Sequence, residues 1–393
     1  MLEKVMKKKI NFLLICAQII INNNCMQQPY PLWAQPNSCY INSITQCLNA
    51  IHPLTNFLVT LPQTTYMPTI PPLYAWEKPT PNLGYFYLPL IKALTNGRDY
   101  KRDLTLFSSM AAGSTVQACE QLTSQQDASE LLGKFIDSLR TTDDTNVIDK
   151  INDFFAFNRL ETTVCPSSED LSNQETIPET YLNIATSKDK EIIPENAQKK
   201  EDFLEDLRSL EECLNNEFKS FILTLKTSKS EEEQDCQKII TLESTPNILV
   251  IVLKRYYAFT PKNTKAAIIR KSNHAITIPF ELDIGEFVKE GQKNDPYYTY
   301  DLIASAVHAG KTGGGHYIAY VKYPTGWWYC SDTTINGPKD TTNIQYDLDN
   351  GAYILFYQKK ILTQQLTFEE KLKQELTNLS NSLNLLEKQL QKK

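Results

Sequence analysis

A chain of 393 residues with 41% hydrophobic, 22% charged and 10% aromatic residues can build one large domain or two to three ordinary ones. Its formal net charge of −6 argues against nucleic acid as a partner, which calls for a basic stripe, and fits a basic partner only weakly. The nine cysteines are an odd count spread over the whole length, so they read as thiols in a reducing compartment rather than as a disulfide framework.

In chain order, residues 1–9 are basic and residues 10–21 are an apolar run of signal-peptide length, too short to span a bilayer comfortably. The following NNNCMQQPYP has no small-x-small cleavage site. Residues 1–30 therefore read either as a secretion signal or as an apolar strand or helix packed on the domain. No other stretch is long enough for a membrane helix, so no stable membrane span is expected.

Residues 38–51 predict a helix, with Ile41, Ile44, Leu48 and Ile51 at three- to four-residue spacing and Asn37 and Ser38 placed as caps. A Pro-rich loop follows at 62–81. A second helical run lies within 115–140, with Leu131, Leu132, Phe135 and Leu139 as its apolar face. Residues 165–235, rich in Glu, Lys, Ser, Asn and Gln, read as an insertion, helical at EDFLEDLRSLEECL and otherwise mobile. After 237 the pattern turns to strands: NILVIVLKRYY, AITIPFELDI, YDLIASAVHAG, GHYIAYVKY, GWWYCSD and AYILFYQK. Helices followed by strands predict an α+β domain. In the tail, Leu372, Leu376, Leu379, Leu383, Leu386 and Leu390 alternate four- and three-residue steps. That heptad seam over 362–393 predicts a coiled coil, to a second copy or another protein, or else an amphipathic helix folded back.

A cysteine hydrolase needs a thiolate, a His that takes and returns its proton, and a polar group that orients the His. Cys39 stands at a helix start, where N–H groups and the helix dipole favour a thiolate. Of only four histidines, His316 follows Gly313–Gly315 at a strand start, where another backbone can pass close. Asp332 ends the next strand and is placed to reach the distal nitrogen of His316 if the strands are antiparallel.

PNSCYINSITQCL resembles the Cys box of the ubiquitin-specific proteases. SQQDASELLGKFID, LKRYY, VHAGKTGGGHYIAYVK with WWYCSD, and GAYILFYQ are similar to further family segments in the same order. The resemblance implies a papain-like cysteine protease fold at 31–358. Its thumb would span about 31–154, its fingers about 155–245 and its palm about 246–358. It implies ubiquitin and ubiquitinated proteins as partners, and no cofactor. Cys39, His316 and Asp332 would be the catalytic triad. Gln126, Asp127, Glu130, Gly315 and Tyr317 would meet ubiquitin, the carboxylates facing its basic tail.

Three departures from the family pattern are visible. Ala34 stands where an oxyanion-donating Asn is usual, Pro36 replaces a Gly, and Thr333 replaces an acidic residue that often follows the triad acid. Gln35 and Asn37 are the substitute oxyanion candidates, because losing one donor typically costs about 100- to 1000-fold in rate. The paired CxxC motifs that bind zinc in many relatives are incomplete, so no metal is expected. The resemblance implies a deubiquitinase. The alternatives are a catalytically weak ubiquitin-binding adaptor or a protease for a ubiquitin-like modifier. A secretion signal would suit an effector of a bacterium or parasite inside a host cell; without one, a cytoplasmic or nuclear eukaryotic enzyme is expected.

Overall fold

The structure is a computed structural model, described here over residues 28–33, 37–66, 82–114, 127–166, 172–189, 204–226, 233–259, 268–311 and 314–360. The signal-like residues 1–27 and the heptad seam of 362–393 lie outside these residues.

Helices come first: α1 (Cys39–Asn49), α2 (His52–Thr60), α3 (Leu83–Thr95), α4 (Lys101–Ser114), α5 (Ala128–Arg140) and α6 (Thr145–Phe155). Their starts are capped by short polar side chains. Asn82 accepts from Tyr85 N, Asp127 from Ser129 N and Asp144 from Asn146 N. Pro89 inside α3 has no N–H, which frees the carbonyl of Tyr85, and Gln63 Nε2 donates to it at 3.3 Å. None of the described helices is long and apolar enough to cross a membrane.

The strands follow: β1 (Phe157–Val164), β2 (Asn173–Glu179), β3 (Leu182–Ala185), β4 (Ser187–Asp189) and β5 (Leu204–Asp206). Helix α7 (Leu210–Phe218) separates these from β6 (Phe221–Lys226), β7 (Glu233–Leu242), β8 (Ile248–Lys254), β9 (Tyr256–Phe259) and β10 (Ile268–Lys271). Then come β11 (Glu281–Asp283), β12 (Thr299–Lys311), β13 (Gly314–Tyr323), β14 (Gly326–Ser331), β15 (Thr334–Lys339), α8 (Thr341–Gly351) and β16 (Ala352–Lys359).

The central sheet runs β15-β14-β13-β12-β16-β8-β3, with β11 beside β12. Its central strands β8 and β16 are buried on both faces and read as continuous apolar runs, while the edge strand β15 is largely open. In β8, Ile248, Val250 and Val252 face the helices, while Leu249, Ile251 and Leu253 join the second core with α7 and α8. A bulge interrupts β16, where Ala306 pairs with Ile354 but Val307 with Ala352. The extra residue, Tyr353, is thereby turned to the helical side beside Ile354.

A smaller outer sheet runs β2-β1-β7-β6. Two expectations are corrected here. Among its described residues, the segment 165–235 is more strand than helix, and within EDFLEDLRSLEECL Leu204–Asp206 is a strand and the helix starts at Leu210. Ser209 caps that helix through Glu212 N, while Glu212 Oε2 accepts from Arg208 N. Second, Cys165, just after β1, and Cys236 on the neighbouring strand β7 are joined in a disulfide, not left as thiols. Near the base of this sheet Arg159 pairs with Glu161 at 3.4 Å, Glu179 at 3.2 Å and Glu217 at 3.4 Å.

AITIPFELDI also departs from a continuous strand, since Glu281–Asp283 pairs with β12 and Thr277 makes only an isolated parallel bridge to Ser209. Backbone and side-chain groups share the rest: Ile276 N donates to Asp349 O and Thr277 N to Arg208 O. Asp349 accepts from Ile278 N, Gln345 donates to Ile278 O, and Tyr357 donates to Pro279 O.

Candidate active site

Cys39 is the first residue of α1, whose first turn carries no acidic side chain. Asn37, just before it, has φ 58°, a left-handed conformation that Asn adopts more readily than most residues. The thiol is 9% exposed. Burial pushes its pKa up, and the nearby Asp332 carboxylate adds to this. The backbone N–H groups of Tyr317, Tyr40 and Cys39 itself pull it down. Burial is the largest of these influences, so the resting thiol is raised above its ordinary range.

The contact with Tyr317 places Cys39 beside β13, on which α1 packs. His316 precedes Tyr317, and in the β12–β13 ladder it pairs with Ala309, while Gly315 pairs with Gly310. A Cβ on Gly315 would stand 2.5 Å from both the carbonyl of Ala309 and His308 Nε2, so only glycine fits there. The predicted close approach beside His316 is therefore real, and the approaching groups are Ala309 and His308.

The orienting group is not the one expected. His316 Nε2 lies 2.8 Å from Ser331 Oγ. Asp332 instead accepts from Asn42 Nδ2 at 2.6 Å. The reason is the turn between β14 and β15. Ser331 pairs with Thr334, leaving Asp332 and Thr333 as its two central residues, and Asp332 has φ 50°. Its carboxylate is thereby carried away from the imidazole and toward α1. Ser331 thus faces the imidazole, and Asp332 faces Asn42 of α1. Nothing in the side-chain chemistry of Ser331 marks it in the sequence; the closure of a two-residue turn at Asp332-Thr333 is the signal that locates it.

The other expected site residues divide. Asp127 caps α5 and takes the hydroxyl of Tyr353 on both carboxylate oxygens, at 2.9 and 2.8 Å. The bulge in β16 thus ties the helical side to the sheet at the cleft. Glu130 is exposed and paired with Lys134 at 2.6 Å. Tyr317 is buried, its ring 4.6 Å from His308 and 6.2 Å from Tyr353. Gln35 and Gln126 lie outside the described residues, as do Ala34 and Pro36.

His308 was not anticipated. It is buried behind Gly315, with Lys271 Nζ 2.9 Å and Tyr256 Oη 3.4 Å from its Nδ1. Lys271 also donates to the carbonyls of His308 and Gly310. Burial first, and then the Lys271 charge, lower His308 to about 4, so the ring is neutral. Burial lowers Lys271 to about 8.

Among the described residues no group of three or more His, Cys, Asp or Glu side chains is placed to hold a metal ion. Cys165 and Cys236 are bonded to each other, and Cys213 is buried on α7, its thiol raised to about 12 by burial. The cleft thus offers a thiol under converging N–H groups, one of them from the residue after His316, and an imidazole steadied by a hydroxyl. Such a set can carry out acyl transfer through a thioester.

The profile of the family described as ubiquitin carboxyl-terminal hydrolase matches residues 31–357. Ubiquitin carboxyl-terminal hydrolase 25 of Arabidopsis thaliana is 26% identical over 340 residues, 82% of this chain and 46% of that protein. Ubiquitin carboxyl-terminal hydrolase 12 of Saccharomyces cerevisiae is 33% identical over 186 residues, 45% of this chain and 14% of that protein. The chain thus spans less than half the length of either relative. Among solved structures, the yeast SAGA DUB module superposes with a TM-score of 0.62 at 18% identity, over 86% of this chain and 69% of that one. The same module bound to ubiquitin aldehyde gives 0.61 at 19% identity, over 86% of this chain and 70% of that one. At these identities the structural likeness speaks for the α+β fold, and the sequence match speaks for kinship. With the match extending over nearly all of the described residues, the chain belongs to the ubiquitin carboxyl-terminal hydrolase family.

Proposed function

We propose that this chain is a cysteine-type deubiquitinating hydrolase that cleaves the bond after the C-terminal Gly of ubiquitin. The observation that carries the reading is the cleft itself: Cys39 under the N–H groups of Tyr317 and Tyr40, with His316 next to Tyr317 and held by Ser331.

In this reading His316 donates Nε2–H to Ser331 Oγ, which leaves the Nδ1 lone pair for the thiol proton. The Cys39 thiolate attacks the Gly carbonyl carbon, and the oxyanion is met by backbone N–H groups at the start of α1, with Asn37 and Gln35 as side-chain candidates. The C–N bond breaks as imidazolium returns its proton to the leaving amine. Water then attacks the thioester, His316 takes its proton, and Cys39 departs. Gly315 keeps the channel narrow, and Asp127 offers its carboxylate to the basic tail of ubiquitin. The helices, the outer sheet and the central sheet act as thumb, fingers and palm. Residues 362–393 serve as a coiled coil for self-association or a partner.

A ubiquitin probe ending in an alkyne electrophile tests the reading, with Cys39→Ala as control. Mass spectrometry should find one adduct, on Cys39, absent from the variant. Ubiquitin bound without an adduct would overturn the hydrolase reading and leave a binding role. The same electrophile on a ubiquitin-like modifier tests the choice of modifier.

A further inference from the structure

The hairpin that carries Gly315 and His316 outruns the sheet behind it. Strand β12 pairs with β16 as far as Val307, opposite Ala352, and then runs on to Lys311 in register with β13. Where a neighbouring strand stops, the carbonyls that faced it still need donors. Two such carbonyls, of His308 and Gly310, accept from Lys271 Nζ at 2.8 and 3.2 Å. Residues two apart in a strand face the same way, so one ammonium reaches both. At this edge Lys271 takes the place of a strand.

Lys271 belongs to a second hairpin, on β10 opposite Tyr256 of β9. Its third contact is His308 Nδ1 at 2.9 Å, which Tyr256 Oη approaches at 3.4 Å. An ammonium has three N–H donors and no acceptor. All three meet acceptors on β12, which offsets the cost of its partial burial. The neutral His308 ring therefore offers the Nδ1 lone pair to Lys271 and keeps its proton on Nε2. That Nε2 is the atom a Cβ on Gly315 would meet at 2.5 Å. Across the ladder, a Cβ on Gly310 would stand 2.5 Å from Gly315 Cα, and Gly310 has φ 139°. With contacts this close, any shift of His308 or Gly310 passes directly to Gly315.

We propose that Lys271 is a positioning residue for the substrate: it ties the β9–β10 hairpin to β12 where β16 ends and, through His308 and Gly310, holds Gly315 at the width that admits an extended tail ending in Gly. The proposal rests on the deubiquitinase reading of this cleft. It concerns how the tail is received, because His316 keeps its own contact with Ser331 and Cys39 its N–H groups, none of which Lys271 supplies.

The test uses the full chain with a fluorogenic ubiquitin substrate. Lys271→Met keeps the reach of the side chain and removes its donors. Hydrogen bonds to a charged group are strong enough to shift an equilibrium about tenfold. Lys271→Met should therefore raise KM about tenfold and leave kcat within about twofold, the mark of lost binding rather than lost chemistry. Cys39 should react with iodoacetamide at the parent rate. Lys271→Arg, whose fork can serve both carbonyls, should bring KM back to within about threefold of the parent. A Lys271→Met enzyme with unchanged KM, or with kcat falling as much as KM rises, overturns the proposal. So does a Lys271→Arg enzyme no better than Lys271→Met. Thermal melting identifies a variant that has not folded, and Lys271→Gln, which keeps one donor group, then takes the place of Lys271→Met with a smaller rise in KM.

A second measurement needs no ubiquitin. In the free chain, Lys271→Met should speed amide hydrogen exchange at residues 309–311 and 314–316, while β16 keeps its protection. Unchanged exchange in the hairpin overturns the tie, whatever the substrate. If exchange rises there as expected and the wild-type chain neither binds nor hydrolyses ubiquitin, the deubiquitinase reading fails and the tie between the two hairpins stands.

Discussion

In the central sheet every residue of β16 is buried, from Ala352 to Lys359, whereas in the outer sheet β6 leaves Ile222 71% exposed. The inner strands of the first sheet are packed on both faces, so burial fixes them. The second has thin cover and is joined by cross-links: the Cys165–Cys236 bond, the Arg159 carboxylate cluster and the Lys238–Glu161 pair at 2.5 Å. His316 and Ser331 stand on the sheet held by packing. Close packing holds side chains to single arrangements, and catalysis requires that. Cross-linked strands with polar faces can instead tolerate changes in their surface chemistry.

Removing apolar atoms should separate the two sheets most strongly. Phe356→Ala empties a fully buried site of the central sheet and should cost about 3–5 kcal/mol in urea unfolding. Cys236→Ser is the matching attack on the outer sheet. It opens a linkage spanning 71 residues of sequence and should cost about 2–4 kcal/mol, with hydrogen exchange rising in β1 and β7 more than in β13.

Acid should act on the packed side. His52, against Tyr323 at 5.1 Å, and His308 are both lowered to about 4 by burial, while β1, β2, β6 and β7 contain no histidine. The unfolded chain therefore takes up these protons first. Stability should be intact above the ordinary histidine pKa of about 6.5 and fall as pH drops from there toward 4, by on the order of 1–3 kcal/mol per group. A melting series at fixed ionic strength checks the sign; greater stability at pH 5 than at pH 7 would contradict it.

Ser331→Ala removes one hydrogen bond to the imidazole and should lower kcat about tenfold with little change in the melting midpoint. A variant with full activity would remove Ser331 from the reaction. The smallest effect belongs to Ile222→Ala on the outer sheet, expected within about 0.5 kcal/mol of the parent.

The same contrast explains what the sequence disclosed. Strands β8, β12, β13 and β16 were legible because double burial writes them as runs of Val, Ile, Leu, Ala and Tyr. The helix of Cys39 was legible from its apolar spacing. Strand β2, as NQETIPE, and the start of β7 fell within a segment read as a polar insertion, because ion pairs and a disulfide leave no apolar period. Cys165 and Cys236 gave no hint of each other across 71 positions. In the cleft, Cys39, His316 and the glycine beside it could be read from local motif and chemistry. Ser331 could not, since an acid one residue later is the better chemical candidate and only the turn decides between them. His308 was hidden for a similar reason, as one strand residue whose partner, Lys271, comes from a different hairpin.

The bridge between Cys165 and Cys236 also bears on how the protein is handled. A catalytic thiol is customarily protected with a reductant, and here that same reagent threatens the outer sheet. The two cysteines are buried, at 4% and 0% exposure. Exchange requires access by the attacking thiol, so a mild, brief dose should spare the bridge while clearing oxidised Cys39. Activity plotted against reductant should rise, level off and then decline as the bridge opens, and the width of that plateau sets the conditions for purifying and assaying the protein.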